Sequence, residues 1–267
     1  MYKISIITVV FNDVLHIEKT IQNVLEQTYP NLEYIIIDGA STDGTIDIVK
    51  RYEDRLMWVS ESDHGIYDAM MKGTRKATGE WILFRHSGDF FAGPSVIEDL
   101  FSHYTKDNNE DFLLANCRMI NNYGYKDVKP GILTNKSLFD GMPVIHPSTF
   151  IRKRTQLKYP FHIEYKNSAD YYFFLEAFRN NASFRYFDIT LSLMDCERGA
   201  TVDNNDITIK DNISIFKIMG APSSKTRILQ RSLRIQRFLG VLKKILPSLY
   251  LWYVRGYLRK TGWVKVV

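Results

Sequence analysis

Residues 3–84 alternate uninterrupted apolar runs with segments whose apolar residues recur every three or four positions. The runs are rich in Ile and Val, as in strands buried on both faces of a sheet. The spacing of Ile17, Ile21 and Val24 is typical of one apolar helix face. The pattern predicts strands at 3–10, 34–39, 56–60 and 80–84 and helices at 16–28, 45–53 and 65–77. This alternation indicates an α/β fold with a mostly parallel central sheet and helices on both faces.

Beyond about residue 92 the strands no longer alternate regularly with helices. The pattern predicts strands at 113–120 and 184–195, a turn leading into a strand at 141–153, and helices at 169–178, 205–219 and 224–245. The helix at 169–178 has an aromatic face, and Pro222 and Pro247 flank the last helix as breaks.

Composition excludes several classes of protein. The chain has 267 residues, 45% of them hydrophobic, which suits one large domain or a main domain with an appendage and excludes a disordered chain. Cys117 and Cys196 lack a C-x-x-C spacing, which excludes a disulfide scaffold and a thiolate zinc cluster. The chain has no G-x-G-x-x-G or G-x-x-x-x-G-K-[ST] motif, which argues against a dinucleotide or Walker-type phosphate site.

The charge is unevenly distributed along the chain. The net charge is +5, but residues 212–267 contain twelve Lys and Arg and no acidic residue, so residues 1–211 have a net charge of −7. Within 225–260 apolar residues recur between the basic ones, and Tyr and Trp follow, types favoured at a membrane–water interface. We expect this region to bind an anionic membrane surface and not nucleic acid. The alternatives are a helix packed on the body and a nucleic-acid-binding tail.

No segment has the length of a membrane span or the pattern of a signal peptide. The N-terminal apolar run ends at Asn12 without a cleavage pattern, and residues 238–254 are interrupted by Lys243 and Pro247. A spanning helix needs roughly 20 consecutive apolar residues. We therefore expect a cytoplasmic protein, attached peripherally to the inner face of the cytoplasmic membrane.

Three predicted strands end in polar loops, which contain Asn12, Asp38 and Asp89. In open α/β sheets, ligands bind at the carboxyl ends of the strands. Asp38 ends an apolar strand and needs a polar partner, for which we favour a nucleotide base or ribose. For Asp43 we favour a helix cap. Asp89 is either a ligand of Mg²⁺, which one or two carboxylates hold together with substrate phosphates, or an ordinary β-turn aspartate.

Two further acidic residues stand near the start of predicted helices. Asp68, in ESDHGIYDAMMKG (61–73), has Lys72 four residues later, which fits either a surface ion pair or a helix start that faces a ligand. Asp170 begins the aromatic helix, where a carboxylate commonly complements the helix dipole. Taken singly, each residue is explained by helix stabilisation.

In combination, these segments resemble the family 2 glycosyltransferases, which have the GT-A nucleotide-diphospho-sugar transferase fold. The matching segments are SIITVVFN, QTYPNLEYIIIDGASTDGT, SESDHGIYDAMMKGTRKATGEWILFRHSGDFF, IHPSTFIRK and NSADYYFFLEAF. The likeness is dense over residues 3–93 and thinner beyond. It implies a catalytic domain at 1–211, with a nucleotide-sugar half (1–93) and an acceptor half (94–211), followed by a basic helical region at 212–267.

The resemblance implies a role for each matching position. Asp170 is expected to be the catalytic base, His146 to lie on the acceptor side, and Asp89 to hold Mg²⁺ or Mn²⁺. The positions expected to bind the donor are Thr8, Val10, Asn12, Asp38, Asp68, Lys72, Ser87, Gly88, Arg152 and Arg198. Where the family has D-x-D this chain has S-G-D, as in one branch of the family, so a single carboxylate must hold the cation. For His146 a structural role in a proline-rich turn is the alternative.

The implied reaction is an inverting, hexosyltransferase-type transfer from a nucleotide-diphospho-sugar to a hydroxyl of a saccharide or lipid-linked saccharide, in cell-surface polysaccharide synthesis. Asp170 takes the proton of the hydroxyl as it attacks the anomeric carbon, and a cation at Asp89 stabilises the leaving diphosphate. A non-catalytic nucleotide-sugar or membrane-surface binding protein is the alternative, because the D-x-D motif is incomplete. A nucleic-acid-binding protein is a third interpretation, against which the acidic body and the lack of nucleic-acid motifs count.

Overall fold

A computed structural model describes residues 1–105, 109–122, 124–131, 134, 138–142, 144–196 and 205–246. The strands within these ranges are β1 Ile4–Val10, β2 Leu32–Asp38, β3 Met57–Ser60, β4 Trp81–Phe84, β5 Phe90–Phe91, β6 Phe112–Asn121, β7 Gly124–Val128, β8 Thr149–Arg152 and β9 Phe184–Asp195. The helices are α1 Ile17–Leu25, α2 Thr45–Lys50, α3 Ile66–Lys76, α4 Val96–Ser102, α5 Lys153–Lys158, α6 Ala169–Arg179, α7 Asn205–Ile218 and α8 Ser223–Ile245. A 3₁₀ turn at His146–Ser148 precedes β8.

All these strands belong to one sheet, in the order β3-β2-β1-β4-β8-β6-β9-β5, with β7 paired to β6. The first four are parallel neighbours, as the sequence predicts. Beyond them the sheet is mixed, because β8 is antiparallel to both β4 and β6, while β9 is parallel to β6. β6 and β7 form a hairpin in which Asn121 pairs with Gly124, and so short a connection requires antiparallel strands. The α/β prediction is confirmed, and the parallel order holds for the first four strands.

The sheet separates two hydrophobic cores. Ile7 and Val9 of β1 lie in a core shared with α3, α6 and α7, whereas Ile4 and Ile6 lie in a core shared with α1, α2 and α4. Each of these side chains is at most 6% exposed. Successive side chains of a strand point to opposite faces, so a strand between two helical layers needs an uninterrupted apolar run. The predicted placement of helices on both faces is confirmed.

Helix α7 packs on the body of the protein although it begins the basic region. Ile215 and Phe216 are at most 3% exposed and belong to the core that contains α6. Helix α8 then begins at Ser223, and Lys225 forms an ion pair with Asp140. The domain boundary at residue 211 remains a prediction, but part of the core lies beyond it.

Among the helices of the described ranges, none combines the length and the apolar character that crossing a membrane would require.

Candidate functional site

The carboxyl ends of β1, β2 and β4 lie side by side at one edge of the sheet. Val10 pairs with Asp38, and Ile7 pairs with Phe84. The loops that follow these strands therefore meet at this edge, where open α/β sheets bind their ligands. We call it the carboxyl edge.

Asp38 holds the loop after β2 in place. Its side chain is fully buried, and its Oδ2 accepts hydrogen bonds from the backbone N of Ser41 (2.9 Å) and from Ser60 Oγ (2.6 Å). Its Oδ1 accepts a third hydrogen bond from Ser41 Oγ (2.5 Å). Buried carboxylates need such partners, and here the protein supplies them itself. A contact between Asp38 and the donor remains a prediction.

Asn12 joins the loop after β1 to the loop after β2. Its backbone N donates to Ser41 Oγ at 2.7 Å, and its Oδ1 accepts from the backbone N of Thr42 at 2.8 Å. Asn12 has a φ of 50°, in the left-handed region that Asn tolerates better than most residues. The two loops thus form one rigid unit.

Beneath these loops, Thr8 and Val10 are buried, and the Thr8 hydroxyl lies 3.0 Å from the hydroxyl of Tyr34. The neighbouring exposed side chain is Phe11, which is 64% exposed. The Phe11 ring lies close to Gly39. A Cβ atom added at Gly39 would lie 3.3 Å from this ring and 2.7 Å from Asp63 Oδ2. Only glycine therefore fits at position 39 without displacing its neighbours.

Asp43 bonds to backbone groups, as expected for a helix cap. Its Oδ1 accepts from the backbone N of Thr45, the first residue of α2 (3.0 Å), and its Oδ2 accepts from the backbone N of Val14 (3.0 Å). Asp43 therefore also ties the loop after β1 to the start of α2.

The start of α3 carries Asp68 and Lys72. Asp68 Oδ2 accepts from the backbone N of His64 at 3.0 Å and lies 3.7 Å from Lys72 Nζ. Burial alone raises the pKa of Asp68, but the hydrogen bonds from His64 outweigh it and hold that pKa below its usual range. Lys72 Nζ also donates to the Ser62 carbonyl (2.8 Å) and contacts Glu61 (3.0 Å). The Asp68–Lys72 pair therefore stabilises the turn, whether or not it contacts a ligand.

The S-G-D loop follows β4 and is anchored to α1. Gly88 has a φ of +92°, and its backbone N donates to the buried Thr20 Oγ1 at 2.9 Å. Asp89 is 9% exposed, and burial raises its pKa to about 6, although the Arg85 guanidinium lowers it in part and the Asp195 carboxylate raises it further. The carboxylate is thus costly to ionise without a nearby positive charge.

Arg85 is a fully buried cation at the base of this loop. It donates to Ser192 Oγ (3.0 Å) and to the Phe90 carbonyl (3.3 Å), and its guanidinium lies 4.0 Å from the centre of the Phe91 ring. Burial lowers its pKa to about 10, which still leaves it charged at neutral pH. Arg85 therefore provides a fixed positive charge near Asp89.

The oxygen atoms near Asp89 suit a hard divalent cation for which the protein supplies only some of the ligands. The described residues contain no group of three or more His, Cys, Asp or Glu that would enclose a metal. The buried Ser87 Oγ has no hydrogen-bond partner among them. Mg²⁺ and similar ions use one or two carboxylates together with phosphate oxygens and waters. The Ser87 hydroxyl and the Asp89 carboxylate are oxygen ligands of the required kind.

Asp170 lies in the first turn of α6, with 23% of its side chain exposed. Its Oδ1 accepts from the hydroxyl of Tyr67 (2.8 Å) and from the backbone N of Tyr171 (2.9 Å). Its Oδ2 lies 3.6 Å from His146 Nδ1. Burial raises the pKa of Asp170, but the nearby His146 ring and the hydrogen bonds from Tyr67 and from the backbone N of Tyr171 outweigh it and lower that pKa. Asp170 is therefore ionised at neutral pH and able to accept a proton.

His146 joins the Asp170 cluster to the S-G-D loop. Its ring is 7% exposed and packs edge-on against Phe84 and Phe174, with centroids 5.3 and 5.7 Å away. Its Nε2 is buried and has no partner among the described residues. The ring of His86, which precedes Ser87, lies 6.4 Å from it, and burial lowers the pKa of His86 to about 3. The Asp170 carboxylate, the neutral His86 and the S-G-D loop thus lie close to His146.

Residues 5–163 match the model of the family described as "Glycosyl transferase family 2", which is more than half of the chain. The chain belongs to glycosyl transferase family 2. Curated members include an uncharacterized glycosyltransferase of Mycobacterium tuberculosis, 40% identical over 96 residues, which make up 35% of this chain and 37% of that protein. TuaG of Bacillus subtilis, whose name assigns it provisionally to teichuronic acid biosynthesis, is 39% identical over 90 residues, or 32% of this chain and 36% of TuaG. The chain thus matches little more than a third of the length of these relatives.

Solved structures show that this family 2 chain has the GT-A fold. S. aureus TarS in complex with UDP-GlcNAc superposes with a TM-score of 0.66 and 19% identity, over 81% of this chain and 65% of that one. The mannosyltransferase PcManGT of Pyrobaculum calidifontis, in complex with GDP-Man and Mn²⁺, superposes with a TM-score of 0.60 and 16% identity, over 96% and 80% of the two chains. At such identities the likeness concerns the fold alone.

One position that the family resemblance assigns to the donor, Arg152, does not lie at the carboxyl edge. Arg152 ends β8 and pairs with Trp81, the first residue of β4, because β8 runs antiparallel to β4. It donates to Glu80 Oε2 and to the hydroxyl of Tyr104, both at 3.2 Å, and stacks on Trp81. Arg152 therefore lies at the opposite edge of the parallel strands, so its position gives no support to a donor contact. Arg198 lies outside the described residues.

Three residues of this family 2 site escaped the sequence analysis: Tyr67, Arg85 and Thr20. Tyr67 lies inside a segment that carries the family resemblance, next to Asp68, but its partner Asp170 is 103 residues away. Arg85 directly follows an apolar strand, and a charged residue at such a position is a signal for a buried partner. Thr20 looks like an ordinary polar residue of an amphipathic helix.

Proposed function

We propose that the protein is an inverting glycosyltransferase that moves a sugar from a nucleotide-diphospho-sugar to a hydroxyl of a saccharide or lipid-linked saccharide. The observation that carries this proposal is the arrangement of Asp170, His146 and the S-G-D loop at the carboxyl edge. A proton acceptor and a candidate cation ligand at one ligand-binding edge are what such a transfer requires.

The context we propose is cell-surface polysaccharide synthesis. Family 2 membership and the name of TuaG support it. The donor class is supported by TarS and PcManGT, whose structures contain UDP-GlcNAc and GDP-Man. In this chain the donor would lie over the rigid loops of Asn12 and Asp38 and beside the start of α3. The residues we propose for donor binding are Thr8, Val10, Asn12, Asp38, Asp68, Lys72, Ser87 and Gly88.

Asp170 would act as the base. A hydroxyl is a weak nucleophile near neutral pH, so its proton must pass to a group within hydrogen-bond reach. The new bond forms between the acceptor oxygen and the anomeric carbon as the bond to the diphosphate breaks, and the proton goes to the Asp170 carboxylate. Because a single displacement occurs from the side opposite the leaving group, the anomeric configuration inverts. His146 lies beside the Asp170 carboxylate, and this position fits the acceptor side of the reaction.

Asp89 would hold Mg²⁺ or Mn²⁺ together with the diphosphate. When bound, such a cation offsets the negative charge that the leaving diphosphate gains. The Ser87 hydroxyl, which has no partner among the residues that the structure describes, and the Asp89 carboxylate support this assignment, and PcManGT is a fold relative whose structure contains Mn²⁺. Arg85 would limit the affinity for a cation alone, because its charge lies near the same carboxylate.

Helix α8 would attach the enzyme to an anionic membrane surface. Among the α8 side chains that the structure describes, the exposed Arg and apolar ones lie within about 120° of the helix circumference, at about 100° per residue. We call this the α8 face; it comprises Arg227, Ile228, Arg231, Arg234, Ile235, Phe238 and Ile245. On another side of the helix Leu229 packs against the core. Basic residues attract an anionic leaflet by about 1 kcal/mol each, and exposed apolar side chains enter it. This would keep the enzyme near a lipid-linked acceptor.

The experiment that tests the transfer compares the wild type with Asp170→Asn. Thermal stabilisation by UDP-glucose, UDP-GlcNAc, GDP-mannose and related donors, with and without Mn²⁺, first identifies a donor. Asp170→Asn should still be stabilised by that donor but should lose transfer to an acceptor. NMR of the product should show the inverted anomer. Stabilisation by none of the donors would contradict the proposal.

The same variant separates the second candidate, a non-catalytic nucleotide-sugar binding protein, which the incomplete D-x-D motif favours. That protein would bind the donor in both forms and transfer sugar in neither. Asp54→Ala, a change of an exposed aspartate away from the carboxyl edge, serves as the control and should behave as the wild type.

A further inference from the structure

We infer that Tyr67 is a positioning residue for the base: its hydroxyl anchors one oxygen of Asp170 and leaves the other to take the proton of the acceptor. The inference rests on the proposed function, since Asp170 has this task only in a transferase. Tyr67 itself touches neither of the reacting atoms in this scheme and acts through Asp170.

The hydrogen bonds divide the two oxygens of Asp170 into different roles. Oδ1 accepts from both the Tyr67 hydroxyl (2.8 Å) and the backbone N of Tyr171 (2.9 Å). Oδ2 lies 3.6 Å from His146 Nδ1, beyond normal hydrogen-bond distance. Two donors on one oxygen fix the rotation of the carboxylate about its Cβ–Cγ bond. Oδ2 is therefore the oxygen that is held ready to accept a proton.

The surrounding structure holds Tyr67 in turn. Its side chain is 8% exposed, and its ring packs against Phe161 with centroids 5.2 Å apart. Burial, together with the nearby Asp170 carboxylate, raises the pKa of Tyr67 well above its usual value, so the phenol remains a hydrogen-bond donor. Tyr67 also directly precedes Asp68 in the first turn of α3. One turn thus carries both a proposed donor contact and the anchor of the base.

The groups that face Asp170 determine the sign of the expected change. His146 faces it from the 3₁₀ turn, His86 from the loop after β4 and Tyr67 from α3, while Asp211 of α7 acts on Tyr67. A hydrogen bond to a carboxylate favours its ionised form, so removing the Tyr67 hydroxyl raises the pKa of Asp170. The contacts of Tyr171 and His146 remain, so Asp170 stays in place but less firmly held.

The test is Tyr67→Phe, which removes one oxygen atom and keeps the ring. NMR of protein labelled at the aspartate carboxyl carbon follows the titration of Asp170, whose signal is the one missing in Asp170→Asn. We expect the midpoint to rise by about one pH unit, the size that a hydrogen bond to a charged group implies. Tyr172→Phe is the matched control on α6, since Tyr172 stacks on Tyr165, and it should leave the midpoint unchanged. An unchanged midpoint in Tyr67→Phe would overturn the inference.

Kinetics of the transfer from the donor identified by thermal stabilisation to its acceptor give a second measurement of the role of Tyr67. Tyr67→Phe should lower kcat roughly tenfold at neutral pH, leave the donor KM unchanged and move the acidic limb of the rate profile to higher pH. In an Asp170→Asn background the same change should have no further effect. Loss of activity in Asp170→Asn with wild-type kinetics in Tyr67→Phe would contradict only the role of Tyr67. Full activity in Asp170→Asn would contradict the proposed function itself.

A third measurement covers the case in which Tyr67→Phe does not fold. In Asp170→Asn the neighbouring negative charge is gone, so the pKa of Tyr67 should fall, as read from the ring carbon that bears the hydroxyl in tyrosine-labelled protein. A Tyr67 signal that titrates as in the wild type would show that the phenol and the carboxylate are not coupled, and the inference would be wrong.

Discussion

Replacing Asp38 by Ala should destabilise the protein because it removes the acceptor of three hydrogen bonds. The donors left behind are the backbone N and the hydroxyl of Ser41 and the hydroxyl of Ser60. An unsatisfied buried donor costs about 1–3 kcal/mol. Ser41 is half-buried and Ser60 is exposed, so water can reach both donors, and the cost of each lies at the low end of this range. The free energy of unfolding should therefore fall by about 3 kcal/mol.

Thermal and urea unfolding measure this loss. At about 2–4 °C per kcal/mol for a protein of this size, Asp38→Ala should lower the Tm by about 6–12 °C. Ser60→Ala removes one of the three bonds and keeps the carboxylate, so its loss should be about 1 kcal/mol. Asp54→Ala, at an exposed position, should melt as the wild type.

The same variants separate the structural role of Asp38 from a role in donor binding. If Asp38 only holds its loop, donor affinity should fall in proportion to the loss of stability in both variants. If it also contacts the nucleotide, Asp38→Ala should lose far more affinity than Ser60→Ala. Equal melting temperatures for Asp38→Ala and Asp54→Ala would refute the reasoning from the hydrogen bonds.

Three further predictions concern the carboxyl edge and α8. Gly39→Ala should displace Asp63 Oδ2, 2.7 Å from the new Cβ, and weaken stabilisation by the donor, whereas Gly93→Ala, whose nearest neighbour is 3.7 Å away, should not. Burial lowers the pKa of His86 to about 3, so this side chain stays neutral in the folded protein. The unfolded chain binds a proton there at a higher pH, so the free energy of unfolding should fall as the pH falls from about 6.5 towards 3. His86→Gln should remove this part of the pH dependence, as measured by urea unfolding at each pH. Changing the apolar residues of the α8 face to Ser should abolish flotation with phosphatidylglycerol vesicles, and unchanged flotation would exclude this face.

The first half of the fold was predictable because its signals are local. The apolar runs and the helical spacing up to residue 84 correspond to β1–β4 and α1–α3, with boundaries that differ by a few residues. Two elements that follow, β5 and α4, were not predicted. β5 has two residues, too few to show any alternation of apolar positions.

The candidate site, too, was predictable from the sequence only in part. The sequence by itself determined that acidic and polar loops follow three apolar strands, because strand polarity and the βαβ alternation bring those ends to one edge. It also made Asp170 a candidate through the family resemblance. Only the tertiary structure decided that Tyr67 bonds to Asp170 across 103 residues, and that the antiparallel course of β8 carries Arg152 to the opposite edge. Periodicity reports how a segment buries its own side chains, whereas the partner of a buried polar group and the direction of a strand depend on contacts between segments distant in sequence.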